Sequence, residues 1–136
     1  MGFLDGRKDG HPLELKTTAQ SSKGPPSSHY IEQLAEYCYM DGDTTGFLAV
    51  VHLGMPRKVR LYEINFTGEE LQAWHDTLTS RFRNLVGVDE PDLSQHYDWQ
   101  CRYCPRKGVY CPGPKGEWVS PFEVKAEEIR VLEGVA

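Results

Sequence analysis

The stretch Pro12-Leu13-Glu14-Leu15-Lys16-Thr17-Thr18 decides the fold. Apolar and charged residues alternate along it, and successive side chains of a β-strand point to opposite faces. Leu13, Leu15 and Thr17 therefore share one face, and Glu14 and Lys16 share the other. Just upstream, Gly2 to Asp5 is short and apolar, and the chain then turns through Gly6-Arg7-Lys8-Asp9-Gly10-His11-Pro12. The two pieces predict a hairpin in which Asp5 ends the first strand and meets Glu14 across the ladder.

Downstream, a polar loop broken by Gly24, Pro25 and Pro26 ends in Ser27 and Ser28, either of which suits a helix N-cap. Residues 29–40 read as a helix with Ile31, Leu34, Ala35 and Cys38 on one flank, while Gln33 and Tyr37, four apart, share another. An apolar run from Phe47 to Leu53 suits a buried strand, and Lys58 to Phe66 alternate as a second one. Thr67-Gly68-Glu69-Glu70 is a capping box, opening a helix whose apolar face is Leu71, Trp74, Leu78, Phe82 and Leu85. Beyond Val86 the pattern fades into a turn-rich cysteine segment, with one more strand or helix near 121–133. The order predicts an α/β domain, one sheet flanked by two helices, with a core over 1–86 and a cysteine segment over 87–136 packed on it.

The chain has 136 residues and a net charge of −5, enough for one modest core. No apolar run reaches the roughly 20 residues that span a bilayer, and Met1 to Gly10 lack a signal-peptide core. A cytoplasmic protein with no membrane association is the expectation. The acidic balance argues against a generic nucleic-acid coat, although an acidic metal site is compatible with small basic patches. Arg57, Lys58 and Arg60 form one such patch, and Arg102, Arg106 and Lys107 another; clusters this small usually represent solvated charge.

A Glu-x-Lys triplet is common on exposed strands, and Glu123-Val124-Lys125 repeats it here without similar surroundings. The surroundings of Glu14 and Lys16 are different. Two carboxylates, Asp5 and Glu14, with a main-chain carbonyl make a hard oxygen site suited to Mg²⁺ or Mn²⁺. A lysine beside it can hold an attacking water and offset charge on a phosphate.

Gly2-x-x-Asp5, Glu14-Leu15-Lys16 and Gln33-x-x-x-Tyr37 together resemble the RecB-like branch of the PD-(D/E)XK nucleases. That branch includes CRISPR-associated iron–sulfur exonucleases and the nuclease domains of helicase–nucleases. The resemblance implies a restriction-endonuclease-like core and a DNA nuclease acting on single strands or ends. It implies that Asp5, Glu14 and the Leu15 carbonyl hold the metal, that Lys16 is catalytic, and that Gln33 and Tyr37 position DNA. The family core begins with a helix and a strand before the Gly-x-x-Asp element, and that region contributes a histidine or glutamate. Here the sequence begins at the motif, so the expectation is a fragment, or a homo-oligomer or partner subunit that supplies the rest and pairs with an open sheet edge.

Cys101-x2-Cys104-x6-Cys111 clusters three of the four cysteines, a spacing that reads as metal binding in a chain without a secretion signal. It also resembles the cysteine segment of the iron–sulfur members, with the gap to Cys111 one residue longer than their commonest spacing. A [4Fe-4S] cluster, a zinc ion and an empty site are all open. The family's fourth cysteine lies upstream of the Gly-x-x-Asp motif. Cys38, on a flank that also reads as core, is a substitute, and His75 or His96 would complete a zinc site. The alternatives to a nuclease are a catalytically weak DNA-binding adaptor, and a small zinc-binding interaction module.

Overall fold

Asp9 and Gly10 both take positive φ, 52° and 83°, the combination that closes a two-residue hairpin with the twist its strands need. The structure, a computed structural model, describes residues 4–19, 24–54, 57–87, 102–105, 120–122 and 126–133. The tight turn makes β1 Gly6–Lys8, paired with β2 His11–Thr18 through Gly6 opposite Leu13 and Lys8 opposite His11. The hairpin is as expected, but its first strand lies later in the chain. Asp5 precedes β1 directly, because a two-residue turn leaves Gly6 to Lys8 free to pair.

The chain then forms α1 Ser28–Asp41, β3 Thr45–His52, β4 Lys58–Asn65, α2 Gly68–Gly87 and β5 Ala126–Glu133. The region near 121–133 is thus resolved in favour of a strand. The sheet is mixed, in the order β1-β2-β3-β4-β5. β2 and β3 are parallel and joined through α1, whereas the other neighbours are antiparallel. The α/β class expected from the element order holds.

α1 ends on Gly42 at φ 69°, and the main-chain N–H groups of Gly42 and Asp43 bond back to the carbonyls of Tyr39 and Cys38. Its apolar flank, Ile31, Leu34, Ala35 and Cys38, is buried together with Leu48, Val50, Tyr62 and Ile64 of the sheet. Each buried aliphatic side chain contributes about 1.5–3 kcal/mol. Gly46 of β3 lets the helix come close, since a Cβ there would lie 2.8 Å from Cys38 Sγ and 2.9 Å from Leu34. Both arms of the capping box form: Thr67 N–H donates to Glu70 at 2.8 Å and Glu70 N–H to Thr67 Oγ1 at 3.1 Å.

The chain forms two compact units, residues 1–76 with 122–136, and residues 77–121. In the first, Trp74 and Phe66 pack edge-on against Phe122, with ring centroids 5.7 and 5.3 Å apart. Trp74 Nε1 donates to the Glu32 carbonyl at 3.0 Å, fixing the first half of α2 to α1. In the second, the apolar face of α2 continues differently from the expectation: Leu78 is partly exposed and Phe82 exposed, and the Leu85 side chain lies outside the described residues. Among the described residues no helix is long and apolar enough to cross a membrane.

Candidate active site

The alternation in β2 holds, with an inversion that makes the site. The charged side faces the helices: Glu14 is 2 % exposed, whereas Leu15, on the opposite face, is 49 % exposed. The reason is register. Glu14 lies beside Leu48 and Lys16 beside Val50, both buried with α1, so the face of β2 that follows them carries its charges under the helix.

Lys16 Nζ stands 2.7 Å from Glu14 Oε1 and donates to Gln33 Oε1 at 2.6 Å. Gln33 Nε2 in turn donates to the Tyr37 hydroxyl at 3.3 Å. The expected helix pair thus meets the expected strand pair in one chain of contacts from β2 to α1. Glu14 Oε2 is buried with no hydrogen-bond partner. A buried, unsatisfied carboxylate oxygen is costly and calls for a cation or a water.

Asp5 reaches the same strand. Its Oδ2 accepts from the Leu15 main-chain N–H at 2.8 Å, and carrying the β1–β2 register one step further sets it opposite Glu14. The Thr18 carbonyl accepts from Leu53, next to β3. Leu15 has the opposite parity, so its carbonyl points with its N–H away from β3 and toward Asp5. Among the described residues the ladder to β1 ends at Leu13. Asp5 is thus held on the main chain of β2 at Leu15, the residue after Glu14.

Among the described residues no group of three or more His, Cys, Asp or Glu side chains is placed to hold a metal ion. Two carboxylates and one carbonyl fall below that number, and this donor chemistry, with the unpartnered Glu14 oxygen, fits a hard divalent cation.

Two further residues border Lys16. Tyr30 holds its ring centroid 5.8 Å from Lys16 Nζ, and His29 packs edge-on against Tyr30 at 4.3 Å. Ser27 occupies the N-cap of α1 as expected, but it makes no side-chain cap bond; its Oγ lies 2.6 Å from His29 Nδ1. Burial pushes the His29 imidazole below its ordinary pKa and nearby Lys16 adds to this, with Glu32 opposing.

The soft-metal expectations fare unevenly. Cys101, Cys111 and His96 lie outside the described residues, as do Glu123 and Lys125, while Cys104 is exposed. Cys38 is no substitute ligand: it is fully buried, its thiol faces the Thr45 carbonyl at 3.7 Å, and burial pushes its pKa up to about 12. His75 has its Nδ1 3.0 Å from Glu36 and its ring stacked on Tyr39 at 4.0 Å, which leaves Nε2 alone for a metal.

No family model matches the chain, and no curated protein matches it. Among solved structures the chain is similar to one described as "Crystal structure of SSO0001", with 24% identity and a TM-score of 0.49, covering 75% of this chain and 44% of that one. The chain therefore spans less than half the length of that protein.

Proposed function

We propose that this protein is a divalent-metal-dependent DNA nuclease of the PD-(D/E)XK type, hydrolysing phosphodiester bonds in single strands or at DNA ends. The observation that carries the reading is the buried Glu14 carboxylate, with one oxygen on Lys16 and the other unpartnered. A structural ion pair gains most when every oxygen is satisfied; an oxygen left over in a buried site is an open valence.

Asp5, Glu14 and the Leu15 carbonyl would hold Mg²⁺ or Mn²⁺, which supplies Lewis-acid activation of water and of the phosphate. Lys16 balances the charge that develops on the phosphoryl oxygens. Its ammonium is aimed by Gln33, and Gln33 by Tyr37, so both α1 residues act by fixing the lysine as well as by meeting DNA. Cys101, Cys104 and Cys111 remain the proposed ligands of an iron–sulfur cluster or zinc, which visible absorbance and metal analysis of anaerobically purified protein distinguish.

Cleavage of labelled single-stranded DNA with Mg²⁺ or Mn²⁺ tests the proposal. The parent cleaves, and Glu14→Ala and Lys16→Ala each lose at least about 10²-fold, the scale of removing one group that stabilises developing charge. DNA binding without metal-dependent cleavage would favour the adaptor reading. Cleavage that survives both substitutions would refute the site.

A further inference from the structure

The carboxyl end of β2 collects more than the metal donors. β2 and β3 are parallel, and the connection between them enters α1 at Ser28. Ligands of α/β crossovers gather at this end of the strands. We propose that Tyr30 and Arg60 bind an unpaired DNA strand beside Lys16, Tyr30 by stacking on a base next to the scissile phosphate and Arg60 by taking a backbone phosphate. The inference rests on the nuclease reading and deepens it by assigning the two residues that hold the strand beside Lys16.

Tyr30 is half-buried, and its ring is set in place from two directions. His29 packs edge-on against it at 4.3 Å and is itself tied to Ser27 Oγ at 2.6 Å, while the Lys16 ammonium lies 5.8 Å from the ring centre. An aromatic ring held beside a phosphate-binding ammonium offers a π-face to the neighbouring base.

The pairing registers place Lys16, Val50 and Arg60 in one row across three strands, with their side chains on the same face. Strands lie ~4.8 Å apart, so the Cα atoms of Lys16 and Arg60 are roughly 10 Å apart. The guanidinium of Arg60 donates to the Gly24 carbonyl at 2.9 Å and lies 5.3 Å from the Tyr62 ring centre. These contacts orient it toward Gly24, ahead of α1. Lys58 follows in the next row on the same face, level with Thr18 and His52.

Two cations in one row, a third in the next and an aromatic at the reactive lysine make the combination that tracks single strands. The row stands out in a chain of net charge −5, where a general electrostatic attraction for DNA is absent. A paired duplex offers no free base face except at its ends, so the ring selects for unpaired DNA.

The test uses the full chain carrying Glu14→Gln, in EDTA, with a fluorescein-labelled oligothymidine and a blunt duplex of equal length followed by anisotropy. The single strand binds more tightly than the duplex. Tyr30→Ala weakens it roughly tenfold, the loss of about one base stack, while Tyr30→Phe and Tyr30→Trp keep it. An oligomer of abasic sites loses the same factor against the parent ring and nothing further against Tyr30→Ala. Arg60→Gln weakens binding and flattens the log–log salt dependence by about 0.7.

Equal affinity of Tyr30→Ala and parent, or an unchanged salt slope in Arg60→Gln, would overturn the inference. If Tyr30→Ala does not fold, the abasic oligomer against the parent decides, and undiminished abasic binding overturns it. The two readings fail separately. Tyr30-dependent binding without metal-dependent cleavage defeats only the nuclease, and cleavage with Tyr30-independent binding defeats only the base stack.

Discussion

Two polar clusters lie along β2 and are built differently. At the turn end, Arg7 meets both oxygens of Asp41 at 2.9 and 2.6 Å, and His11 Nδ1 stands 2.7 Å from Asp43 Oδ2. The other oxygen of Asp43 takes the Thr45 main-chain N–H at 3.0 Å. Every carboxylate oxygen there has a partner, and the groups stay near water. Farther along the strand Glu14 is buried, with one oxygen on Lys16 and one on nothing. The first cluster fastens the hairpin to the end of α1. The second leaves a buried carboxylate oxygen unsatisfied, a local cost shared by Glu36 Oε2 beside His75.

The comparison breaks first on activity. Glu14→Gln should abolish cleavage, by about 10²-fold or more, whereas Asp41→Asn should leave it near parent and shift Tm slightly, in a manner that salt suppresses. A large loss of activity in Asp41→Asn with an unchanged melt would erase the distinction between the clusters.

Next comes the seat of α1, which carries Gln33 and Tyr37. Gly46→Ala would press a methyl group to 2.8 Å from Cys38 Sγ, and should cost about 1–3 kcal/mol in urea unfolding. An unchanged unfolding midpoint would mean that the helix position is not set there.

Acid should attack the two ends in separate windows. The native His29 pKa is depressed below the ordinary 6.5, mainly by burial, so the unfolded chain takes up a proton first. Stability therefore falls as pH drops below about 6.5, until the native pKa is passed. His29→Gln should remove that slope. The Asp43 carboxyl is held below the ordinary 3.8, mainly by the Thr45 main-chain N–H. Its contribution is present above that value and is lost as pH falls further. Thermal melts across pH for parent, His29→Gln and Asp43→Asn would separate the two windows. The smallest effect is chemical. Cys38, with its pKa near 12, should resist alkylation at pH 8 until the chain unfolds, and rapid labelling of native Cys38 would contradict the packing.

Much of this contrast was legible in the chain. Strand parity placed Glu14 and Lys16 together, helical spacing placed Gln33 with Tyr37, and the capping box announced α2. Parity says which residues share a face and nothing about which face is covered, so the burial of Glu14 and the exposure of Leu15 needed the register with β3. The first strand lies later than expected because Asp9-Gly10 alone closes the turn, a two-residue signal masked by the longer polar stretch around it. Tyr30 and Arg60 lie in different elements, and only the crossover and the β3–β4 pairing bring them to the same end of the sheet as Lys16.

A Mn²⁺ titration of the parent, Glu14→Gln and Asp41→Asn, with the Tm of each followed in parallel, probes whether Glu14 holds a divalent cation. Saturable Mn²⁺ binding should raise the Tm of the parent and of Asp41→Asn, and should be lost in Glu14→Gln. Mn²⁺ binding that persists unchanged in Glu14→Gln would contradict that role.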